Sequence, residues 1–335
     1  MKHSSLNLTI SSSPHVHSKN STAVLMRDVC IALLPALGGA IRFFGWRALT
    51  LSVVSVAACL LFEWGYRRLM KKDCTVSDWS CVVTGMLIAF ICPVTLPFWT
   101  VILGDFFAIV LVKQLFGGIG MNIVNPALAA RAFLFSWPSL MSGNWVRPGT
   151  AVSAFATPTA LDALTSATPM QALHASSLPN ASLLDLFLGN IGGSMGETSA
   201  LLLLIGGLYL LLRRVITLRI PLPYLLTVAV LTLLFPRGNN ALDWMLCQLL
   251  SGGLLLGAIF MATDYTTSPV THGGQIVFGI GCGVLTVLLR YFGSYVEGVS
   301  YAILIMNCCV GFFDKIGIPK RFGTRKETKK GGEAA

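Results

Sequence analysis

Two stretches decide how this chain folds: DWSCVVTGMLIAFICPVTLP (78–97) and DWMLCQLLSGGLLLGAIFMATDYTTSP (243–269). Each begins Asp-Trp, places a cysteine within a few residues, passes through Thr/Ser-Gly into a Leu/Ala-rich apolar segment and closes on Thr-x-Pro. Both are apolar enough for a membrane, yet Gly and Pro interrupt them. Such breaks are tolerated at membrane depth only where the freed backbone groups face protein or a water-filled cavity. Interrupted segments at corresponding places in two halves of a chain point to an inverted repeat, whose broken helices meet near the bilayer midplane.

Outward from these stretches the sequence is of the same grade. The chain has 335 residues, 54% hydrophobic and 11% charged, with a mean hydropathy of +0.74; soluble domains carry about 25% charge. At about 20 residues per span, the apolar segments fit about ten helices, near 24–43, 46–64, 79–96, 97–116, 120–137, 198–216, 219–236, 243–262, 274–292 and 297–315. The expected fold is therefore an all-α integral membrane protein of about ten transmembrane helices, arranged as two inverted five-helix repeats with interrupted helices. Its parts are a cytoplasmic N-terminal segment (1–22), a first membrane repeat (23–137), an external loop (138–197), a second repeat (198–316) and a basic cytoplasmic tail (317–335). Residues 1–22 are polar and lack the apolar core of a cleavable signal, so they are expected to be retained.

The charge of +10 is distributed asymmetrically, which argues against nucleic acid as its partner. Alternating the spans places Arg67, Arg68, Lys71, Lys72, Lys113, Arg213, Arg214, Arg219, Lys315 and the basic tail on one side, and only Arg42, Arg47, Arg147, Arg237 and Arg290 on the other. The positive-inside rule then puts both termini in the cytoplasm, with the basic tail facing membrane lipid or a partner. Nine cysteines show no C-x-x-C and no ferredoxin-like run, so no zinc site or iron-sulfur cluster is expected within the chain. Polar residues at membrane depth are few: Asp105; Asn122, Asn125 and Arg131; Asp264, Thr266, Thr267 and Ser268. An ionisable group there is costly unless paired or hydrated, which makes each a functional candidate. For Arg131 the structural reading is a bridge to Asp105 or to a helix carbonyl.

The 138–197 loop contains LDALTSATPM (161–170), small hydroxylated residues introduced by Asp162 and ended by Pro169. Loops this long are functional or disordered. Pro169 disfavours a helical conformation at Thr168, and small neighbours leave its hydroxyl accessible to an enzyme that binds the segment extended.

Four stretches carry a resemblance: LMRDVCIALLPALGGAIRFFGW (25–46), KQLFGGIGMNIVNPALAARAF (113–133), the loop motif, and MATDYTTSP through YAILIMN (261–307). In them the chain resembles the D subunits of Rnf complexes, ion-translocating ferredoxin:NAD oxidoreductases, and is similar to the B subunits of sodium-pumping NADH:quinone oxidoreductases. The resemblance implies a flavin-transfer motif, Asp-x-x-Ser/Thr-x-Ala-Thr, read here as Asp162, Thr165, Ser166, Ala167 and Thr168. Thr168 is then the residue joined to FMN through phosphate. Many members carry Gly where Ser166 stands, a small-for-small difference. A decoy, SAFATPT (153–159), offers Thr157 but has Ala151 where the motif needs Asp. The resemblance also implies a second, noncovalent flavin, riboflavin, for which Asn122, Asn125, Asp264 and Thr267 are the expected polar surroundings. It implies as partners a second flavin subunit, iron-sulfur subunits and a flavin transferase, and a bacterial cytoplasmic membrane as the location. Two other classes remain open at this point: an inverted-repeat transporter or channel, which has no use for the loop motif, and a structural anchor, in which Thr168 stays unmodified.

Overall fold

The structure, a computed structural model, describes residues 21–141, 145–149, 152–155, 168–238, 240–293 and 298–318. Among these the chain is helical, with no extended strand. Helix α1 (Thr22–Phe44) starts where the Ser21 hydroxyl accepts from the Val24 amide at 3.3 Å, and Gly45 links it to α2 (Trp46–Leu69), whose last turn carries Arg67 and Arg68. Then come α3 (Ser80–Ile91), α4 (Phe98–Phe106), which runs on in π-helical turns over Phe107–Gln114, and α5 (Pro126–Leu134). Two short helices follow, α6 (Pro169–His174) and α7 (Leu183–Leu188). The second half holds α8 (Ala200–Leu212), α9 (Pro221–Leu234), α10 (Ala241–Leu250), α11 (Leu254–Leu256, continued by π turns Gly257–Met261), α12 (His272–Phe292) and α13 (Val299–Cys308).

Helices α1, α2 and α12 are long and apolar enough to cross a membrane, and the pair α10 and α11, bent by 59°, counts as a fourth if it is one span. Shorter apolar helices are α3, α8, α9 and α13. A helix of α3's length reaches about 18 Å at 1.5 Å per residue, short of the roughly 30 Å hydrocarbon core. The extended Cys92 and the Pro93–Pro97 segment carry the chain onward from its end.

The packing pairs α2 with α3 and α4 in the first half, and α9 with α10 and α12 in the second; α1 lies against α8, and α5 against α13. The stretches 78–97 and 243–269 differ at their starts. Asp78-Trp79 precedes α3, with Trp79 left-handed (φ 61°) and partly exposed, whereas Asp243-Trp244 lies inside α10 with Trp244 fully buried. The local counterpart of Trp79 is the left-handed pair Gly252 and Gly253 (φ 68° and 63°), which breaks α10 from α11. Beyond those residues the halves agree: an apolar helix, a proline-containing loop and a longer helix follow in each.

One core runs through the bundle, from Phe44 and Leu51 through Phe90, Ile109 and Leu128 to Tyr224 and Phe278. Helix flanks stay apolar where they are exposed, as at Val53, Leu61 and Trp64 on α2 or Leu222, Leu226 and Val230 on α9. The bundle has a basic end, where Arg213 pairs with Asp28 at 3.0 Å and Lys113 with Glu63 at 2.6 Å. The other is the loop end, where Arg47 donates to the Leu96 and Ala154 carbonyls.

Candidate functional sites at the two ends of the bundle

At the loop end, Thr168 begins the described chain after the motif; Asp162, Thr165, Ser166 and Ala167 lie outside the described residues. Thr168 is extended (φ −81°, ψ 151°), as Pro169 requires, and caps α6. Its hydroxyl accepts from the Gln171 amide at 3.3 Å, while its own N–H donates to Gln171 Oε1 at 3.2 Å. This reciprocal capping box fixes the residue's orientation. Thr168 lines a cavity of about 470 Å³ together with Arg147, Pro148, Ala172, Asn180 and Asn190. Asn190 is held by Asp185, whose carboxylate accepts from Ser182 Oγ at 2.6 Å and from Asn190 Nδ2 at 3.4 Å. The Ser182 hydrogen bond, and then that of Asn190, keep this exposed carboxyl below its ordinary range.

Beneath Thr168 lies the break between α10 and α11. Arg290 of α12 holds it, donating to the Gln248 carbonyl (2.6 Å) and side chain (2.9 Å) and to the carbonyls of Ser251 (3.0 Å) and Gly252 (3.1 Å). These carbonyls end a helix and need a donor; a guanidinium fork supplies several at once. A small second cavity joins Thr168 to Glu197, Thr198, Ser251 and Gly252. Glu197 accepts from Arg131 of α5 at 2.9 Å, both buried, and Arg131 also donates to Ser300 of α13 at 3.3 Å. The sequence suggested Asp105 or a helix carbonyl as a partner of Arg131; among the described residues the carboxylate beside it is Glu197, from the chain just ahead of α8. Glu197 sits in the sequence as an ordinary loop residue, and no local pattern marks it.

At the basic end, two distant segments, 122–125 and 261–267, converge. Asn125 caps α5, accepting from the Ala127 amide at 3.0 Å, and its Nδ2 donates to the Met261 carbonyl at 3.3 Å. Asn122 Nδ2 donates to Thr266 Oγ1 at 3.0 Å, and Asp264 accepts from Thr266 Oγ1 at 3.0 Å and Thr267 Oγ1 at 3.4 Å. With its amide oriented to match its neighbours, Asn307 of α13 donates to the Thr267 carbonyl at 3.0 Å. Asn122, Asn125, Asp264 and Thr266 line a cavity of about 80 Å³ with Lys113, Thr263 and Tyr265, and Thr267 reaches it only through its hydrogen bond to Asp264. Ligand pockets for molecules of flavin size run from about 300 to 1,000 Å³. The polar groups suit a heterocycle's amide edge, but the space between them does not hold a flavin. Among the described residues no group of His, Cys, Asp and Glu is arranged to hold a metal ion.

A family model described as the NQR2, RnfD, RnfE family matches residues 9–323. The chain is 47% identical, over 97% of its length and 98% of the relative's, to the D subunit of the Na+-translocating ferredoxin:NAD+ oxidoreductase complex of Acetobacterium woodii. It is 39% identical to the D subunit of the proton-translocating ferredoxin:NAD+ oxidoreductase complex of Clostridium ljungdahlii, over 95% and 97% of the two chains. The D subunit of the ion-translocating oxidoreductase complex of Stutzerimonas stutzeri is 37% identical over 93% and 95%.

Proposed function

Because this chain belongs to the NQR2, RnfD, RnfE family, as a subunit of an ion-translocating oxidoreductase complex, we propose that it carries FMN, joined through phosphate to Thr168. In that role it relays electrons between ferredoxin and NAD at the loop end of the bundle. The observation that carries the reading is Thr168 itself. Its hydroxyl is held by a capping box at the wall of a cavity of about 470 Å³ that also presents Arg147, Asn180 and Asn190. That volume lies within the range of sites for molecules of this size, and a guanidinium is suited to a phosphate.

FMN, when attached, supplies the electron chemistry, and the protein supplies position and environment. The residues of the chain do the rest. The capping box orients the acceptor oxygen. Arg290 rigidifies the broken helix under it, and the buried Glu197–Arg131 pair ties the site to α5 and α13. Asp162, Thr165, Ser166 and Ala167 serve the flavin transferase in recognising the segment. The cluster of Asn122, Asn125, Asp264 and Thr267 is the place of a second flavin, riboflavin, only if the helices around it part, since about 80 Å³ is too little for one.

The same reading extends to the architecture. Ten spans in two inverted five-helix repeats are supported by the left-handed break ahead of an apolar half-helix in each half, and by the contacts of α1 with α8 and α5 with α13, helices first and last in each repeat. Basic residues gathered at one end support cytoplasmic termini in a bacterial cytoplasmic membrane, with the flavin loop outside. Partners are the other subunits of an Rnf-type complex, including a second flavin subunit and iron-sulfur subunits. The relatives' names give Na+ for one and protons for another, so membership carries ion translocation rather than a particular ion. The test is a denaturing gel under ultraviolet light of protein produced with its flavin transferase. A fluorescent band at this chain's mass is expected, and a dark band would overturn the reading.

A further inference from the structure

Helix α2 turns a stripe of polar side chains into the bundle: Ser52, Ser55, Cys59 and Glu63, each buried and spaced three or four residues apart, so that they share a face. At the basic end the stripe is fully partnered. Lys113 Nζ donates to Glu63 Oε2 at 2.6 Å and to Ser80 Oγ at 2.7 Å, and Thr75 Oγ1 donates to Glu63 Oε1 at 2.7 Å. Midway along it stands Asp105 of α4, with no exposed surface. Its Oδ1 lies 2.8 Å from Ser55 Oγ and 3.5 Å from Cys59 Sγ; its Oδ2 has no hydrogen-bond partner.

The hydrogens available at Ser55 favour the acid form of Asp105. Ser55 Oγ lies 2.8 Å from Asp105 Oδ1 and 2.9 Å from the Gly85 carbonyl oxygen, and both contacts need a hydrogen. A hydroxyl has one. If Ser55 donates to ionised Asp105, its lone pairs face the Gly85 carbonyl, and an uncompensated carboxylate remains buried among apolar helices, a severe cost. If Asp105 is a carboxylic acid, it donates to Ser55, and Ser55 donates to Gly85. Every short contact then holds one hydrogen. The titratable or charged groups around it are Cys59 and Glu63 on α2, Cys81 and Cys92 at the two ends of α3, Lys113 beyond it on its own helix, and Arg131 on α5. Lys113 and Arg131 are already paired, with Glu63 and Glu197. Two residues beyond Asp105 the helix slips into π turns, an irregularity frequent at functional sites.

We propose that Asp105 is a proton-carrying site, neutral in the resting protein, whose proton exchanges along the α2 stripe through Cys59 toward Glu63 and Lys113 at the basic end. This holds whether or not Thr168 carries a flavin. The test is infrared spectroscopy of the purified complex with 13C in its aspartate side-chain carboxyls, comparing the natural chain with Asp105→Asn. The amide keeps one donor and one acceptor and so preserves the fold. The difference spectrum is expected to show the loss of one carboxylic-acid C=O band at neutral pH. In the natural chain that band shifts on transfer to D2O, several-fold more slowly in Cys59→Val. Loss of a carboxylate band would overturn the assignment of the proton. An acid band that never shifts would mark a sealed structural acid, and an unchanged rate in Cys59→Val would overturn the route.

Discussion

Thr168 shows how much one residue can be asked to do: it begins a helix and lines two cavities, and in the proposed function its hydroxyl is the acceptor. Thr168→Val removes that oxygen at nearly constant shape, so fluorescence on a denaturing gel is expected to vanish while the protein still inserts. Thr168→Ser keeps the oxygen and the cap, losing only the methyl that restricts the rotamer, and is expected to retain part of the label. The valine also removes an N-cap, at about 1 kcal/mol, a local effect on α6 rather than on the bundle. A pH dependence belongs to the same wall. Asp185 is held below the ordinary carboxyl range by Ser182, so its anchoring of Asn190 is complete above that range and is lost only as pH falls through the lowered value. Carboxyl titration by NMR is expected to move up in Ser182→Ala; an unmoved titration would remove that hydrogen bond from the account. Of these residues, Thr168 was legible because its chemistry sits in a contiguous motif with a proline beside it. Arg147, Asn190 and Glu197 were not, because the fold alone brings them together.

At the scale of elements, the Gly and Pro interruptions revealed that the helices break, though not where. Trp79 takes the left-handed conformation that Gly252 and Gly253 take in the second half, and no propensity rule selects a tryptophan there. The Asp-Trp echo misled for the same reason, since one copy precedes its helix and the other is built into one. Close helix crossings were better marked. A Cβ on Gly283 of α12 would lie 2.6 Å from Thr227 Cβ and 3.0 Å from the Tyr224 carbonyl oxygen, so α9 and α12 touch backbone to backbone, as small residues permit. Gly283→Leu is expected to force them apart and to lower the thermal unfolding midpoint of the detergent-solubilised protein. The buried Glu197–Arg131 pair ties α5 to the chain ahead of α8, and Glu197→Gln removes the carboxylate charge beside the guanidinium. The expected loss is about 3–5 kcal/mol, read as a large drop in the same midpoint; an unchanged midpoint would show the pair to be dispensable. Asp264→Ala, at the opposite end, is expected to impair electron transfer or ion coupling in the assembled complex while the covalent label remains. Wild-type turnover would take Asp264 off the functional list.

For the whole molecule, composition and charge placement made the class readable before any helix was drawn: a membrane protein with one basic end. What they could not supply was the partner of Arg131 or the small volume between Asn122 and Asp264, because both depend on packing between distant helices. Orientation is open to a direct check. A reporter fused after Gly149 is expected to respond as external and one after Lys330 as cytoplasmic; the same response from both would reject ten spans with an external long loop. The central claim is that the loop end carries a covalent flavin on one hydroxyl, and mass spectrometry of the peptide containing Thr168 tests it most directly. In protein co-produced with an active flavin transferase, the account predicts one FMN added through phosphate with loss of water, located at Thr168. An unmodified peptide, or a flavin mapped to Thr157, would contradict it.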